Sequence, residues 1–173
     1  MVAILVTGMS GAGTSTTLAE LARRGFRTVD TDHGGYSVEA WCAEESRPEQ
    51  LWRAEKIVEL LARHEESTPG EPLFVAGCVS NQAAFYPRFA AVVLLRAPVD
   101  VLLERVTTRT MNSFGRSPED RGRILADLAD TEPLLRATAS EEIDTRAPVT
   151  EVADRLVEIA RVLRRGPAGA REG

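Results

Sequence analysis

The chain has 173 residues, 43% of them hydrophobic and 27% charged, with a net charge of -5. That length accommodates one domain with a sheet covered by helices on both faces. The acidic balance argues against a nucleic-acid or anionic-membrane partner, and no apolar run reaches the roughly 18 residues of a membrane span. The opening residues read as a core strand, not a signal peptide. Cys42 and Cys78 lack metal-ligand spacing and fit small buried thiols in a reducing, cytoplasmic setting.

The first element is an apolar strand, Val2 to Thr7, which runs into Gly8-Met9-Ser10-Gly11-Ala12-Gly13-Thr14-Ser15-Thr16. This is the pattern G-x-x-x-x-G-K-[ST] at Gly8, Gly13 and Ser15, with Thr14 where the lysine belongs. Glycines there let backbone N–H groups turn inward around a phosphate, and the positive end of the following helix dipole adds to the cradle. Gly8, Ser10, Gly11, Ala12, Gly13, Thr14, Ser15 and Thr16 are therefore candidate nucleotide contacts, with Ser15 an expected Mg²⁺ ligand. Thr14 offers one neutral hydrogen bond and no charge. By analogy with removal of a transition-state donor, its cost to phosphoryl transfer is roughly 10² to 10³ in rate, or more because the lost donor is charged. Lys56 is the only lysine of the chain, which points to an arginine as the substitute cation.

Beyond the loop, a helix spans Ser15 to Arg24 with Leu18, Leu21 and Ala22 on one face, and Gly25 ends it. Arg27 to Asp30 is a short second strand. Arg47 to Glu65 reads as a helix from the spacing of Leu51, Ile57, Val58, Leu60 and Leu61, with Ser46 and Glu49 resembling a capping box around Pro48. Leu73 to Ala76 and Ala91 to Leu95 are the third and fourth strands, and Pro98 to Thr108 is a helix. The polar segment Thr110 to Ser117 suits a lid over phosphates. Pro118 to Leu135 is helical again, Glu142 to Asp144 is a fifth strand, and Thr150 to Arg164 is a closing helix. Residues 1–165 are read as one domain with its lid at about 110–118, and 166–173 as a flexible tail.

Alternating strands and helices imply a parallel sheet, with ligands at the carboxyl ends of the strands. Asp30 and Asp32 lie at such an end, where a carboxylate reaches Mg²⁺ or takes a proton from a substrate hydroxyl; the plainer reading is a turn aspartate and a helix cap. Arg105, Arg121 and Arg123 read as exposed helix charges, and His64 as a solvent-facing or dipole-interacting residue near a helix end. Trp41, Trp52, Phe85, Tyr86 and Phe89 either wall an acceptor pocket or pack under the helices.

The order of phosphate loop, Val29-Asp30-Thr31-Asp32, arginine-bearing segment and final Asp-Thr loop resembles the P-loop small-molecule kinases of adenylate kinase-like fold, shikimate kinase first and gluconate kinase behind it. The resemblance spans roughly residues 2 to 160 and is strongest at the phosphate loop. It implies a three-layer α/β fold with a five-stranded parallel sheet in the order 2-3-1-4-5, and ATP and Mg²⁺ as cofactors. It assigns Asp30 to the metal and Asp32 to the substrate hydroxyl. It assigns Arg109 to the adenine, Arg116 to the phosphates, Arg53 after Trp52 to the substrate, and Asp144-Thr145-Arg146-Ala147-Pro148 to the loop that wraps the base. Gly77-Cys78-Val79-Ser80-Asn81-Gln82 departs from the triple glycine of shikimate kinase, and Thr131-Glu132-Pro133-Leu134-Leu135 lacks an arginine that would clamp a substrate carboxylate. Shikimate is accordingly not the expected acceptor; Asn81, Gln82 and Arg53 suggest a polar neutral or singly anionic one, a nucleoside or nucleotide as well as a sugar acid. Two functions stay open: an ATP-dependent phosphotransferase acting on a small hydroxylated acceptor, and a degenerate kinase that binds nucleotide without turning it over.

Overall fold

A computed structural model of the chain describes residues 2–67, 69–108 and 117–166. Strand β1 (Ala3–Thr7) is buried along its whole length, as a central strand covered on both faces must be. It lies between β5 (Leu73–Ala76) and β6 (Ala91–Arg96), both parallel to it. Outside them stand β2 (Arg27–Asp30), against β5, and β7 (Glu141–Asp144), against β6. Numbered within this sheet alone, the strands run 2-3-1-4-5, the order the resemblance implied.

Alternation along the strands divides the core between the two faces. Ile4, Val6, Phe74, Val93 and Leu95 pack with helices α1 (Thr14–Arg23), α3 (Val99–Thr108) and α5 (Val149–Arg165) through Leu18, Leu21, Leu102, Val152 and Leu156. Ala3, Leu5, Leu73, Val75 and Val92 face the other way, toward Ile57, Leu60 and Leu61 of α2 (Ala54–Glu66) and Phe85 of the short 3-10 helix Gln82–Arg88. Helix α4 (Pro118–Thr138) starts where the Ser117 hydroxyl accepts from the Asp120 N–H at 3.1 Å, and it runs on through Pro133. Among the described residues, no helix is long and apolar enough to cross a membrane.

The expected helix from Arg47 to Glu65 is corrected. Residues Arg47–Trp52 form a strand, β4, antiparallel to β3 (Ser37–Cys42), and the helix begins only at Ala54. Six cross-strand pairs from Ser37↔Trp52 to Cys42↔Arg47 hold the hairpin. Ser46 takes a left-handed conformation, φ 50°, in its turn, so it caps no helix. Of the apolar residues that set the helical period, Leu51 lies in the hairpin and the others start at Ile57, beyond it, and Pro48, opposite Trp41, fits an edge strand of a two-stranded ribbon. The hairpin leaves the sheet through Gly34 and Gly35, both at positive φ, and returns where the Arg53 N–H donates to the Tyr36 carbonyl at 2.7 Å. The lid placed at about 110–118 falls, up to residue 116, outside the described residues, as does the tail beyond Gly166.

Candidate functional site

The loop between β1 and α1 makes a tight cradle. A Cβ at Gly8 would sit 2.6 Å from the Leu95 carbonyl oxygen, and one at Gly11 2.9 Å from that of Leu102. Gly11 and Gly13 lie at φ 84° and 91°, a region side-chain-bearing residues avoid. Glycine is therefore required by contact at Gly8, by contact and backbone at Gly11, and by backbone alone at Gly13. Helix α1 opens at Thr14 without a side-chain cap, which leaves its first N–H groups directed at whatever the loop encloses.

A cleft of about 500 Å³ opens over this loop, lined by Gly8 to Gly11 and Gly13 to Thr16 on one side, and by Asp30, Asp32 and Ala76 to Ser80 at the strand ends. Arg47 to Gln50 of the hairpin and Asp127, Thr131 and Leu135 of α4 close the far wall. The sheet edge gathers the two aspartates because β2 ends there. Asp30 Oδ1 accepts from the Asp32 N–H at 3.0 Å, and its Oδ2 accepts from the Ser15 hydroxyl at 3.3 Å. Burial beside the loop, with the charge of Asp30 as the second cause, pushes the Asp32 carboxyl up from its ordinary value, against a smaller opposing pull from His33. The intervening Thr31 faces inward, donating to the Ala76 carbonyl at 2.7 Å and accepting from the Trp52 indole N–H at 2.8 Å. A Cβ on Gly77 would fall 2.4 Å from that same Thr31 hydroxyl, so strand end, hairpin and the segment after β5 lock each other in place.

A second hollow of about 440 Å³ lies on the other side of the loop, between Gly11, Gly13, Thr16 and Thr17 and the residues Thr145, Arg146, Ala147 and Val149. Arg105 bridges the two walls: its Nη1 donates to the Gly11 carbonyl at 3.0 Å and the Thr145 hydroxyl at 2.8 Å, and its Nη2 to the Thr145 carbonyl at 2.6 Å. This corrects its reading as an exposed helix charge. Arg146 grips Asp144 through Nε and Nη2 and holds that carboxyl down to about 2. Pro148 is the residue before α5.

A family model described as AAA domain, AAA_18, matches residues 4–126, from β1 through the phosphate loop and both aspartates into α4. The chain belongs to this AAA domain family. No curated protein matches it in sequence. Among solved structures, shikimate kinase from Bacteroides thetaiotaomicron is similar with a TM-score of 0.60 at 20% identity, over 93% of this chain and 99% of that one. Shikimate kinase from Acinetobacter baumannii in complex with shikimate gives 0.54 at 19%, over 92% of both chains. TT1252 from Thermus thermophilus gives 0.59 at 16%, over 92% and 96%. At such identities the likeness is one of fold, and this AAA domain chain has the P-loop kinase architecture of adenylate kinase-like type.

The structure brings the phosphate loop, Asp30 and Asp32 together in one cleft and places Arg146 beside the second hollow. It does not bring Arg53 there: that residue precedes α2 and is absent from the cleft wall. Arg109 and Arg116 lie outside the described residues. Asn81 and Gln82 are structural. Asn81 exchanges hydrogen bonds with the backbone of Trp52, at 2.8 and 3.0 Å, and the buried Gln82 is bonded to Val79, Thr7 and Tyr86. Trp52 packs on Phe85 and on Phe89, while Trp41 is exposed on the hairpin. The charged cleft residues that sequence reading missed are Arg47, Glu49 and Asp127. Recognising the hairpin would have placed the first two; the composition of α4 carries no comparable sign for the third.

Proposed function

We propose that the chain is an ATP-dependent phosphotransferase that moves the terminal phosphoryl group to a hydroxyl of a small metabolite, nucleoside or nucleotide. The observation that carries this reading is the convergence of Ser15, Asp30 and Asp32 over a glycine cradle at the end of a parallel sheet. The shape of the cradle rests on Gly8 and Gly11, where a Cβ would collide with the Leu95 and Leu102 carbonyls and displace the loop. Ser15 and Asp30 would hold Mg²⁺, which takes few protein oxygens and completes its shell with phosphate and water. There it would supply positive charge against the phosphates during transfer. The missing third protein ligand is therefore no objection: among the described residues there is no cluster of three or more metal-binding side chains.

Asp32 accepts the proton of the acceptor hydroxyl as its oxygen forms a bond to phosphorus. The bond between phosphorus and the bridging oxygen of ADP breaks, and the electron pair leaves with ADP. A carboxyl with a raised affinity for protons is the better base for this step. The second hollow, floored by Gly13 and Thr17 and walled by Arg146 and Ala147, is of a size for the nucleoside half, and Arg116 keeps the phosphate role its resemblance gives it. Thr14 favours the other reading, a nucleotide binder without turnover, because the loop carries no ammonium.

Calorimetric titration with ATP, with and without Mg²⁺, is the first test. Micromolar, Mg²⁺-dependent binding followed by ADP release with an acceptor panel supports the phosphotransferase. Tight binding without turnover, joined by activity appearing in Thr14→Lys, supports the binder. Absence of binding up to millimolar ATP removes both.

A further inference from the structure

Arg47 is the only cation among the described residues that line the cleft over the phosphate loop; the carboxylates there are Asp30, Asp32, Glu49 and Asp127. It is carried at the end of the β3–β4 hairpin, on the first residue after the turn. Its Nη1 donates to Asp127 Oδ1 on α4 at 2.8 Å, and a second ion pair joins it to Glu45 within the turn. A guanidinium held this way has its planar fork occupied by carboxylate oxygens, and a phosphate presents the same spacing of acceptors. The side chain is 46% exposed, so it is not fixed by packing and can exchange partners. Among the described residues beside the loop, Thr14 is neutral, Arg105 is committed to Gly11 and Thr145, and Arg146 to Asp144.

We propose that Arg47 binds the terminal phosphate of the nucleotide, exchanging Asp127 for phosphate oxygens, and so serves as the cation that the phosphate loop lacks. This rests on the nucleotide reading above. The hairpin then becomes a catalytic element: Asp127 and Glu45 restrain its arginine until a triphosphate competes for it, and a diphosphate, one phosphate shorter, competes less.

The test compares ATP and ADP affinities by calorimetry, in Mg²⁺, for the full chain and the variants Arg47→Ala and Asp127→Asn, with thermal melts to verify folding. Loss of a charge-assisted contact predicts that Arg47→Ala weakens ATP binding about 10- to 100-fold while ADP changes much less. Asp127→Asn removes the competitor and tightens ATP. A contact that only latches the hairpin to α4 would be broken by both variants alike, so shifts in the same direction, or equal shifts for ATP and ADP, overturn the proposal. If the unaltered chain binds neither nucleotide, the nucleotide reading itself fails and the role of Arg47 falls with it.

Discussion

The Ser15 hydroxyl donates to the Asp30 carboxylate at 3.3 Å, joining the first turn of α1 to the end of β2 across the mouth of the phosphate loop. Two oxygens at this separation from different elements form an edge that one small cation can share. Ser15→Ala and Asp30→Asn are each expected to lose most of the Mg²⁺-dependent part of ATP affinity, on the order of tenfold. The Mg²⁺-independent part, which rests on backbone N–H groups, should persist in Ser15→Ala. Paired titrations in Mg²⁺ and in chelator separate the two parts. Equal loss under both conditions would mean that the pair holds the loop and not the metal.

Arg105 offers a different prediction, because its three hydrogen bonds connect α3 with the phosphate loop and with Thr145 at the end of β7. Arg105→Ala leaves the Gly11 and Thr145 carbonyls without this donor. The expected cost is about 1–3 kcal/mol of stability, read by urea unfolding, together with weaker nucleotide binding as the two walls of the second hollow come apart. Arg105→Lys keeps a charge but not the fork and should recover only part of either loss. Unchanged nucleotide affinity in a destabilised Arg105→Ala would confine the residue to folding.

How far the sequence reached depends on whether a feature is local. The phosphate loop and the five parallel strands were legible because the glycine spacing and the short apolar runs are each complete within a few residues. The hairpin was not, because its evidence is the pairing of Ser37–Cys42 with Arg47–Trp52, while Ser46, Pro48 and Glu49 together imitate the start of a helix. Losing the hairpin hid Arg47, while Arg53 was assigned through the resemblance of Trp52-Arg53 and not from the local pattern. Arg105 was misjudged for a related reason: periodicity tells which face of α3 is polar, but not that the Thr145 loop arrives against that face. Asn81 and Gln82 read as acceptor contacts because they stand where the resembling family has its substrate loop, and here they are consumed by Trp52, Val79 and Thr7.

Asp32 should titrate above an ordinary carboxylate, first because of burial and second because Asp30 is charged beside it. Its deprotonated form is the active base, so the acid limb of a rate profile is expected above the usual 3.8 of an aspartate. Asp30→Asn removes the neighbouring charge and should move the Asp32 titration downward, which carboxyl carbon NMR would follow directly. The stability sign runs with the proton: a raised carboxyl favours the fold below its ordinary pKa, and that contribution is lost as pH rises through the folded value. An Asp32 titration unmoved in Asp30→Asn would show that burial alone sets it.

His64 was expected near solvent and is instead 1% exposed, at the inner side of α2. Arg27 can only donate, so its Nη1 at 3.4 Å makes His64 Nδ1 the acceptor, and Nε2 then carries the hydrogen directed at the Val2 carbonyl at 3.3 Å. Protonation would set a second N–H against the Arg27 guanidinium inside the fold. Burial is the main cause that pulls the imidazole below its ordinary value of 6.5, with the Val2 carbonyl opposing and Arg27 adding to the shift. A lowered histidine means that the unfolded chain takes up the proton first. Its contribution is therefore intact above about pH 6.5 and is lost on acidification down to the folded pKa, at up to about 1.4 kcal/mol per pH unit. Urea unfolding at successive pH values between about 7.5 and 5 should show this loss in the natural chain and a flatter dependence in His64→Gln. His64→Gln keeps a donor for Val2 and an acceptor for Arg27 but cannot titrate. If the two curves fall in parallel, the acid sensitivity belongs to other groups, and His64 is protonated in the fold as readily as in the open chain.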